Sequence, residues 1–170
     1  GVQPIIVALT GTASDSVLKD IQIQLDIGDE AIITPISFDR EELHYNVVGC
    51  DSSVKLEQLD NILNTIPRYF GEDFYDFYSL KGNDTNGGIV FCPHARGGFG
   101  VHEIYTKLAT RFICGRYATK TPYGTQKDEW DRIKKQNAKD FKDNNLTTLV
   151  ATNAYGMGID KPNIRYVIHY

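Results

Sequence analysis

Short apolar runs alternate with amphipathic segments along most of this chain. Runs that predict buried strands occupy residues 5–9, 31–36, 89–92, 112–117, 147–151 and 164–170. Residues 44–48 alternate apolar and polar side chains and predict a further strand. Apolar side chains recur at helical spacing in residues 17–25, 56–66, 101–112 and 130–141. Strands that alternate with helices predict an α/β fold with a mostly parallel sheet and right-handed crossovers.

Individual residues predict where several of these elements begin and end. Ser14 is suited to cap the first helix, and Gly28 is suited to stop it. Pro67 predicts the end of the second helix, because proline has no backbone N–H to continue it. Thr125, with Asp128 three residues later, predicts a variant capping box at the start of the last helix.

A glycine-rich loop between the last two predicted strands is the strongest candidate site. In a parallel sheet this loop lies at the carboxyl ends of strands, where ligands bind. Gly156 and Gly158 permit a positive φ or a close approach of the backbone to a ligand, and Thr152 and Asp160 offer a hydroxyl and a carboxylate at the two ends. From spacing alone, a tight interstrand turn with a capping Asp160 explains the pattern equally well.

Composition restricts the kinds of partner that the chain can bind. The net charge of −4 and pI near 5.5 argue against a general polyanion binder, so any contact with DNA has to be local. No segment approaches the roughly 18 apolar residues of a membrane span, and the first residues lack the features of a signal peptide. We therefore expect a cytoplasmic protein without a membrane partner. The three cysteines are widely spaced and predict neither disulfides nor a metal site.

Two other segments have conspicuous compositions. The loop at residues 93–100 precedes a helix but has no Lys-Ser or Lys-Thr after its glycines, so it is not predicted to bind a nucleoside triphosphate. Residues 69–78 contain six aromatic side chains. This cluster could stack on nucleic-acid bases, but we favour packing between elements of the fold.

Whole segments of the chain resemble the RecQ family of superfamily 2 DNA helicases. The string VATNAYGMGIDKPNIRYVIHY at the end resembles motif V, and ALTGTA near the start resembles motif III. Between them, residues 37–40 resemble the interlobe segment and residues 88–92 the strand that opens motif IV. The resemblance implies a RecA-like fold with helices on both faces of the sheet. It divides the chain into the tail of a first RecA-like lobe (1–36), a linker (37–43) and an incomplete second lobe without motif VI (44–170).

The resemblance also implies roles for single residues. Thr10 and Thr12 would couple the nucleotide state to the grip on DNA. Thr152 would bind a DNA phosphate, and Gly156 and Gly158 would let main-chain amides approach the strand or the neighbouring lobe. Asp160 would face the interlobe ATP site near the ribose. Arg96 stands near the family's usual Ser-Arg pair after motif IV, and its guanidinium suits a DNA phosphate.

The chain lacks the motifs that perform ATP hydrolysis. It contains no G-x-x-x-x-G-K-[ST] loop and no DExH box, so we assign no catalytic residue to it. The resemblance implies that the complete protein is an ATP-dependent 3′–5′ DNA helicase that uses ATP and Mg²⁺. Its partners would be DNA, ATP and the first RecA-like lobe. A superfamily 2 RNA helicase lobe and a non-enzymatic RecA-like binding or regulatory protein are the alternatives.

Overall fold

The computed structural model describes residues 5–10, 14–34, 40–156 and 159–170. Predictions for Thr12 and Gly158, and those for residues 35–39, lie outside these ranges. The described chain divides into two compact units, Gly1–Val48 and Gly49–Tyr170.

Among its described residues, the first unit contains one α-helix, α1 (Asp15–Leu25), and a 3₁₀ turn at Asp29–Ala31. Ser14 takes the extended N-cap conformation as predicted, although its side chain accepts no capping hydrogen bond from the helix. The predicted stop at Gly28 is wrong. The helix ends earlier because Asp26 adopts the left-handed conformation, with φ of 53°, and its amide bonds the Gln22 carbonyl.

The strands predicted in the first unit are wrong where the structure describes them. Residues 5–9 and 44–48 form no strand, and the predicted run at 31–36 begins in the 3₁₀ turn and continues without regular structure to residue 34. Ile5 and Leu9 are 94% and 92% exposed. A strand requires hydrogen bonds from a neighbouring strand, and no other described segment pairs with these residues.

The second unit contains a four-stranded sheet and four α-helices among its described residues. The strands are β1 (Gly87–Phe91), β2 (Cys114–Tyr117), β3 (Thr148–Ala151) and β4 (Ile164–His169). The helices are α2 (Lys55–Tyr69), α3 (Phe74–Phe77), α4 (Val101–Leu108) and α5 (Lys127–Lys142). All strand pairs are parallel in the order β2-β3-β1-β4, which confirms the predicted α/β sheet. None of the described helices has the length and apolar character needed to cross a bilayer.

Side chains that alternate along the strands build a core on each face of the sheet. Val90 and Val150, which are register partners, join the larger core, whose buried members from the helices include Leu59, Leu63, Phe77, Ile104 and Trp130. Their neighbours Ile89 and Leu149 join a smaller core with Phe141 of α5 on the other face. Each such side chain contributes about 1.5 to 3 kcal/mol when it is fully buried. Helices therefore cover both faces, as expected.

Pro67 does not end the second helix, contrary to the prediction. α2 continues to Tyr69 because the carbonyl that Pro67 leaves without an intrahelical donor, that of Leu63, finds another one. The buried hydroxyl of Tyr78 donates to the Leu63 carbonyl oxygen at 2.8 Å. Tyr78 and the fully buried Phe77 confirm the predicted packing for part of the aromatic cluster, whereas Tyr69, Phe70 and Tyr75 are exposed.

The capping box predicted at α5 is also wrong. Gln126, rather than Thr125, occupies the N-cap position, and its side chain makes no capping hydrogen bond. The chain enters the helix through Gly124, whose φ of +76° favours glycine. The indole N–H of Trp130, in the first turn, donates to the Ala118 carbonyl at 3.0 Å and ties the helix start to the end of β2.

Candidate functional site

The carboxyl ends of the four strands lie side by side and carry the candidate loops. A backbone amide just beyond one strand donates to the last carbonyl of its neighbour in three successive pairs: Thr152 to Tyr117 at 3.2 Å, Cys92 to Ala151 at 2.8 Å, and Tyr170 to Phe91 at 2.8 Å. The loops that contain Arg96 and Thr152 therefore start from adjacent strands, β1 and β3. This carboxyl edge is where a parallel sheet binds ligands.

Thr152 leaves β3 at this edge in an extended conformation, with φ of −88° and ψ of 169°. Its backbone is fixed because its carbonyl accepts from the Tyr155 amide at 3.0 Å and its own amide bonds Tyr117. Its half-buried hydroxyl has no hydrogen-bond partner within the described parts of the chain. The backbone is thus held while the hydroxyl stays available to a ligand.

Gly156 adopts an ordinary helical φ of −71°, so the positive φ that a glycine permits does not occur at this position. A Cβ atom there would lie 3.4 Å from Cζ of Phe91, an ordinary contact. The local turn therefore does not require glycine at position 156. The remaining explanation for a glycine there is a close approach of the backbone to a ligand.

Asp160 is exposed, and among described residues its carboxylate has neither a hydrogen bond nor an ion pair. The turn-capping alternative is therefore not seen for Asp160. Neighbouring side chains hold this part of the loop instead. The Lys161 ammonium donates to Oδ1 of Asn144 and lies 5.0 Å from the Phe141 ring centroid, and burial lowers the pKa of Lys161. Asn163 donates to the same Asn144 oxygen at 2.8 Å.

The loop at residues 93–100 is hydrogen-bonded to the first turn of α4, the helix that follows it. The amides of Val101 and His102, which begin α4, donate to the carbonyls of His94 and Ala95 at 3.0 and 3.1 Å. Gly97 has a φ of +85°, which favours glycine. Because these first amides already have partners, they are not available to cradle a phosphate. That the loop does not bind a nucleoside triphosphate stays a prediction.

Arg96 contacts the loop at residues 119–126, which joins β2 to α5. Its Nε donates to the Thr121 carbonyl, and its guanidinium carbon lies 4.7 Å from the Tyr123 ring centroid. No acceptor for either terminal nitrogen occurs in the described ranges, and Arg96 forms no salt bridge there. Sequence reasoning identified Arg96 but missed Thr121 and Tyr123, because only the fold brings the two loops together.

Sequence reasoning also missed two other groups near this edge. The Lys55 ammonium, at the start of α2, lies 4.6 Å from the Tyr170 ring centroid and 5.2 Å from that of Phe99. His102 Nε2 donates to the Lys120 carbonyl at 3.0 Å and so holds the 119–126 loop from a second side. No signal in the sequence links these residues, which lie on separate elements.

Three predicted site residues remain: Thr10, Thr12 and Gly158. Thr10 lies exposed in the first unit, in a segment without regular structure, and Thr12 and Gly158 are outside the described residues. The coupling role of the two threonines stays a prediction. Within the described ranges no group of three or more His, Cys, Asp or Glu side chains could hold a metal ion.

Comparison with known proteins agrees with the fold. Residues 71–170 match the model of the helicase conserved C-terminal domain. The chain is 33% identical to the ATP-dependent DNA helicase RecQ of Bacillus subtilis over 98% of its own length and 23% of that protein. It is 32% identical to the ATP-dependent DNA helicase Q1 of Rattus norvegicus, over 97% of the chain and 22% of that protein. The chain thus spans less than a quarter of these two relatives, and the resemblance to RecQ helicases is confirmed.

Proposed function

Because the chain belongs to the family of the helicase conserved C-terminal domain, we propose that it forms part of an ATP-dependent DNA helicase of the RecQ type. It would supply the second motor lobe, which grips single-stranded DNA during 3′–5′ movement and completes the interlobe ATP site. The observation that carries this proposal is the carboxyl edge. There, Thr152 and Arg96 stand on loops from adjacent strands, with polar atoms that no described residue engages.

A DNA backbone is the ligand that suits this edge. A hydroxyl and a guanidinium both donate hydrogen bonds to phosphate oxygens, and such contacts position a strand without reading its sequence. The negative net charge agrees with a grip that depends on a few placed residues rather than on a broad basic surface. Gly156 and Gly158 would add main-chain contacts to the strand or to the neighbouring lobe.

ATP and Mg²⁺ belong to the complete motor in this proposal. The carboxylate of Asp160 fits a ribose hydroxyl, since it is exposed and engages no described residue. Bound Mg²⁺–ATP supplies the phosphoryl-transfer chemistry. In this proposal the first RecA-like lobe would supply the Mg²⁺ ligands. Thr10 and Thr12 would couple the two lobes, and the protein would work in the cytoplasm.

The test replaces Thr152 and Arg96 separately in the complete helicase. Thr152→Val keeps the β-branched shape but removes the hydroxyl donor, so we expect DNA affinity to fall by about 0.5 to 3 kcal/mol. The dependence of affinity on salt should stay constant, because a neutral hydroxyl releases no counterion. Arg96→Ala should instead flatten the salt slope by about one unit. Binding isotherms at several salt concentrations measure both effects.

Thr65→Val is the matched control. Thr65 is exposed near the far end of α2, and its hydroxyl donates to the Asn61 carbonyl of its own helix at 2.8 Å. This variant should bind DNA like the unmodified protein. If Thr152→Val keeps its DNA affinity but melts at a lower temperature, Thr152 supports the loop and does not contact DNA.

A further inference from the structure

Arg96 is held in place by the loop at residues 119–126. Its Nε donates to the Thr121 carbonyl, and the Tyr123 ring lies against the guanidinium at 4.7 Å. An unrestrained arginine loses side-chain entropy when it is fixed by a ligand. A side chain that is already fixed loses less of this freedom on binding, so its ligand binds more tightly.

These contacts leave the phosphate-binding part of the guanidinium unused. A cation–π contact uses the positive charge of the guanidinium and needs no hydrogen-bond acceptor, so Tyr123 leaves the terminal N–H donors to other partners. Of the five N–H donors, only the one on Nε has an acceptor in the part of the chain that the structure describes. The terminal pair can therefore bind one phosphate in a bidentate manner.

The loop that carries Tyr123 is itself anchored. Ala118, at its start, accepts from the indole of the fully buried Trp130, and Lys120 accepts from His102 Nε2. The Tyr123 side chain, in contrast, is 80% exposed. Its ring therefore adds little to the core, and among the described residues its ring contact is with the Arg96 guanidinium. An exposed aromatic ring on a fixed loop beside a cation suggests a role in placing that cation.

We propose that Tyr123 is a positioning residue, which holds the Arg96 guanidinium ready for a DNA phosphate. This inference rests on the proposed function, because it assumes that Arg96 meets DNA. It adds the loop between β2 and α5 to the DNA grip, through a residue that need not touch DNA itself. The role requires the aromatic face and not the hydroxyl of Tyr123.

The test compares Tyr123→Ala and Tyr123→Phe in the complete helicase. Loss of an exposed cation–π contact should weaken DNA binding by Tyr123→Ala about two- to fivefold, whereas Tyr123→Phe should bind like the unmodified protein. In an Arg96→Ala background, Tyr123→Ala should have no further effect. Tyr75→Ala is the matched control, since Tyr75 is also exposed, at 85%, and among the described residues its ring contacts only Phe74, edge to face.

Two outcomes would overturn the positioning role. If Tyr123→Ala weakens binding equally with and without Arg96, Tyr123 contacts DNA independently. If Tyr123→Phe is as weak as Tyr123→Ala, the hydroxyl and not the ring is responsible.

A measurement without DNA separates this inference from the proposed function. The NMR signal of the Arg96 Nε–H should exchange slowly with solvent, faster in Tyr123→Ala, and slowly again in Tyr123→Phe. An exchange rate that Tyr123→Ala leaves unchanged would show that Tyr123 does not restrain the Arg96 side chain, and would overturn the inference. Unchanged DNA affinity of Arg96→Ala would instead refute the phosphate contact in the proposed function, whatever the exchange rates show.

Discussion

His102 occupies a position where only one protonation state fits. Its Nε2 donates to the Lys120 carbonyl at 3.0 Å, so the neutral ring carries its proton on Nε2. Its Nδ1 is buried and finds no partner in the described structure, and the ring packs edge to face against Trp130, with centroids 5.1 Å apart. A second proton on Nδ1 would place a charge in this apolar contact. The residue therefore links the 119–126 loop to pH.

We predict that His102 makes the fold less stable as the pH falls. Desolvation lowers the pKa of His102, and the nearby Arg116 and Arg96 add to this effect, while the bond to Lys120 opposes it. The unfolded chain thus binds this proton at a higher pH than the folded chain does. The contribution of His102 to the free energy of unfolding should be fully present above about pH 6.5. It should decline as the pH falls below this value, until the pH lies below the pKa of His102 in the folded chain.

Urea unfolding at a series of pH values measures this contribution. His102→Gln keeps an N–H donor but does not titrate, so its stability should depend less on pH below about pH 6.5. His94→Gln is the control, because His94 is exposed and its Nε2 donates to the Gly98 carbonyl within its own loop. A pH dependence in His102→Gln as steep as in the unmodified chain would contradict the assignment.

At the scale of elements, the sequence predicted those strands and helices whose formation depends on residues close together along the chain. The apolar runs of β1 and β3 identify buried strands because both faces of the sheet are covered. The run at residues 5–9 has the same pattern but finds no partner strand in the described structure. Composition cannot show whether a strand is paired. For the same reason Pro67 misled the prediction, since the donor to Leu63 comes from Tyr78 on another element.

In the candidate site, too, residues on one loop could be predicted together, whereas contacts between separate loops could not. Thr152 and Asp160 could be found because they share one continuous loop between two predicted strands. The link from Arg96 to Thr121 and Tyr123 could not be found, since it joins residues about 25 positions apart whose loops meet only at the carboxyl edge. The residue types indicated which side chains could bind a phosphate or a ribose. Which loops lie next to one another is decided by the order of the strands in the sheet.

We predict that Gly88 in β1 tolerates no side chain. Gly88 is the register partner of Tyr166 in β4, and a Cβ atom at Gly88 would lie 1.9 Å from Cζ of that ring. The ring cannot move away easily, because it is buried and its hydroxyl is 2.8 Å from Oγ1 of Thr148. Gly88→Ala should therefore destabilise the fold by about 3 kcal/mol or more.

Gly98→Ala provides the comparison for Gly88→Ala. A Cβ atom at Gly98 would meet nothing within 4 Å, so this variant should change the free energy of unfolding by less than about 0.5 kcal/mol. Urea denaturation of the two variants measures the difference. Equal stability of both would show that Tyr166 does not pack on β1 as described.

At the scale of the whole molecule, the two units differ in how far their apolar side chains are buried. Every buried side chain of the described residues lies in the second unit, Gly49–Tyr170. The first unit exposes apolar side chains, including Ile5, Leu9 and Ile33. In the proposed helicase, these side chains would belong to the first RecA-like lobe and would pack against the rest of it. In that proposal, the chain folds around its own sheet and the activity of the helicase depends on other segments as well.

The last prediction follows from this dependence: the 170-residue chain alone should show no DNA-stimulated ATP hydrolysis. Phosphoryl transfer needs a phosphate-binding loop with its lysine, acidic residues for Mg²⁺ and arginines that stabilise the transition state. The sequence contains neither a G-x-x-x-x-G-K-[ST] loop nor a DExH box, and Asp160 would supply only a contact to the nucleotide. Phosphate release with and without single-stranded DNA should match the buffer control. Turnover above it that Asp160→Ala abolishes would place a complete ATP site within this chain and overturn the assignment of hydrolysis to other segments.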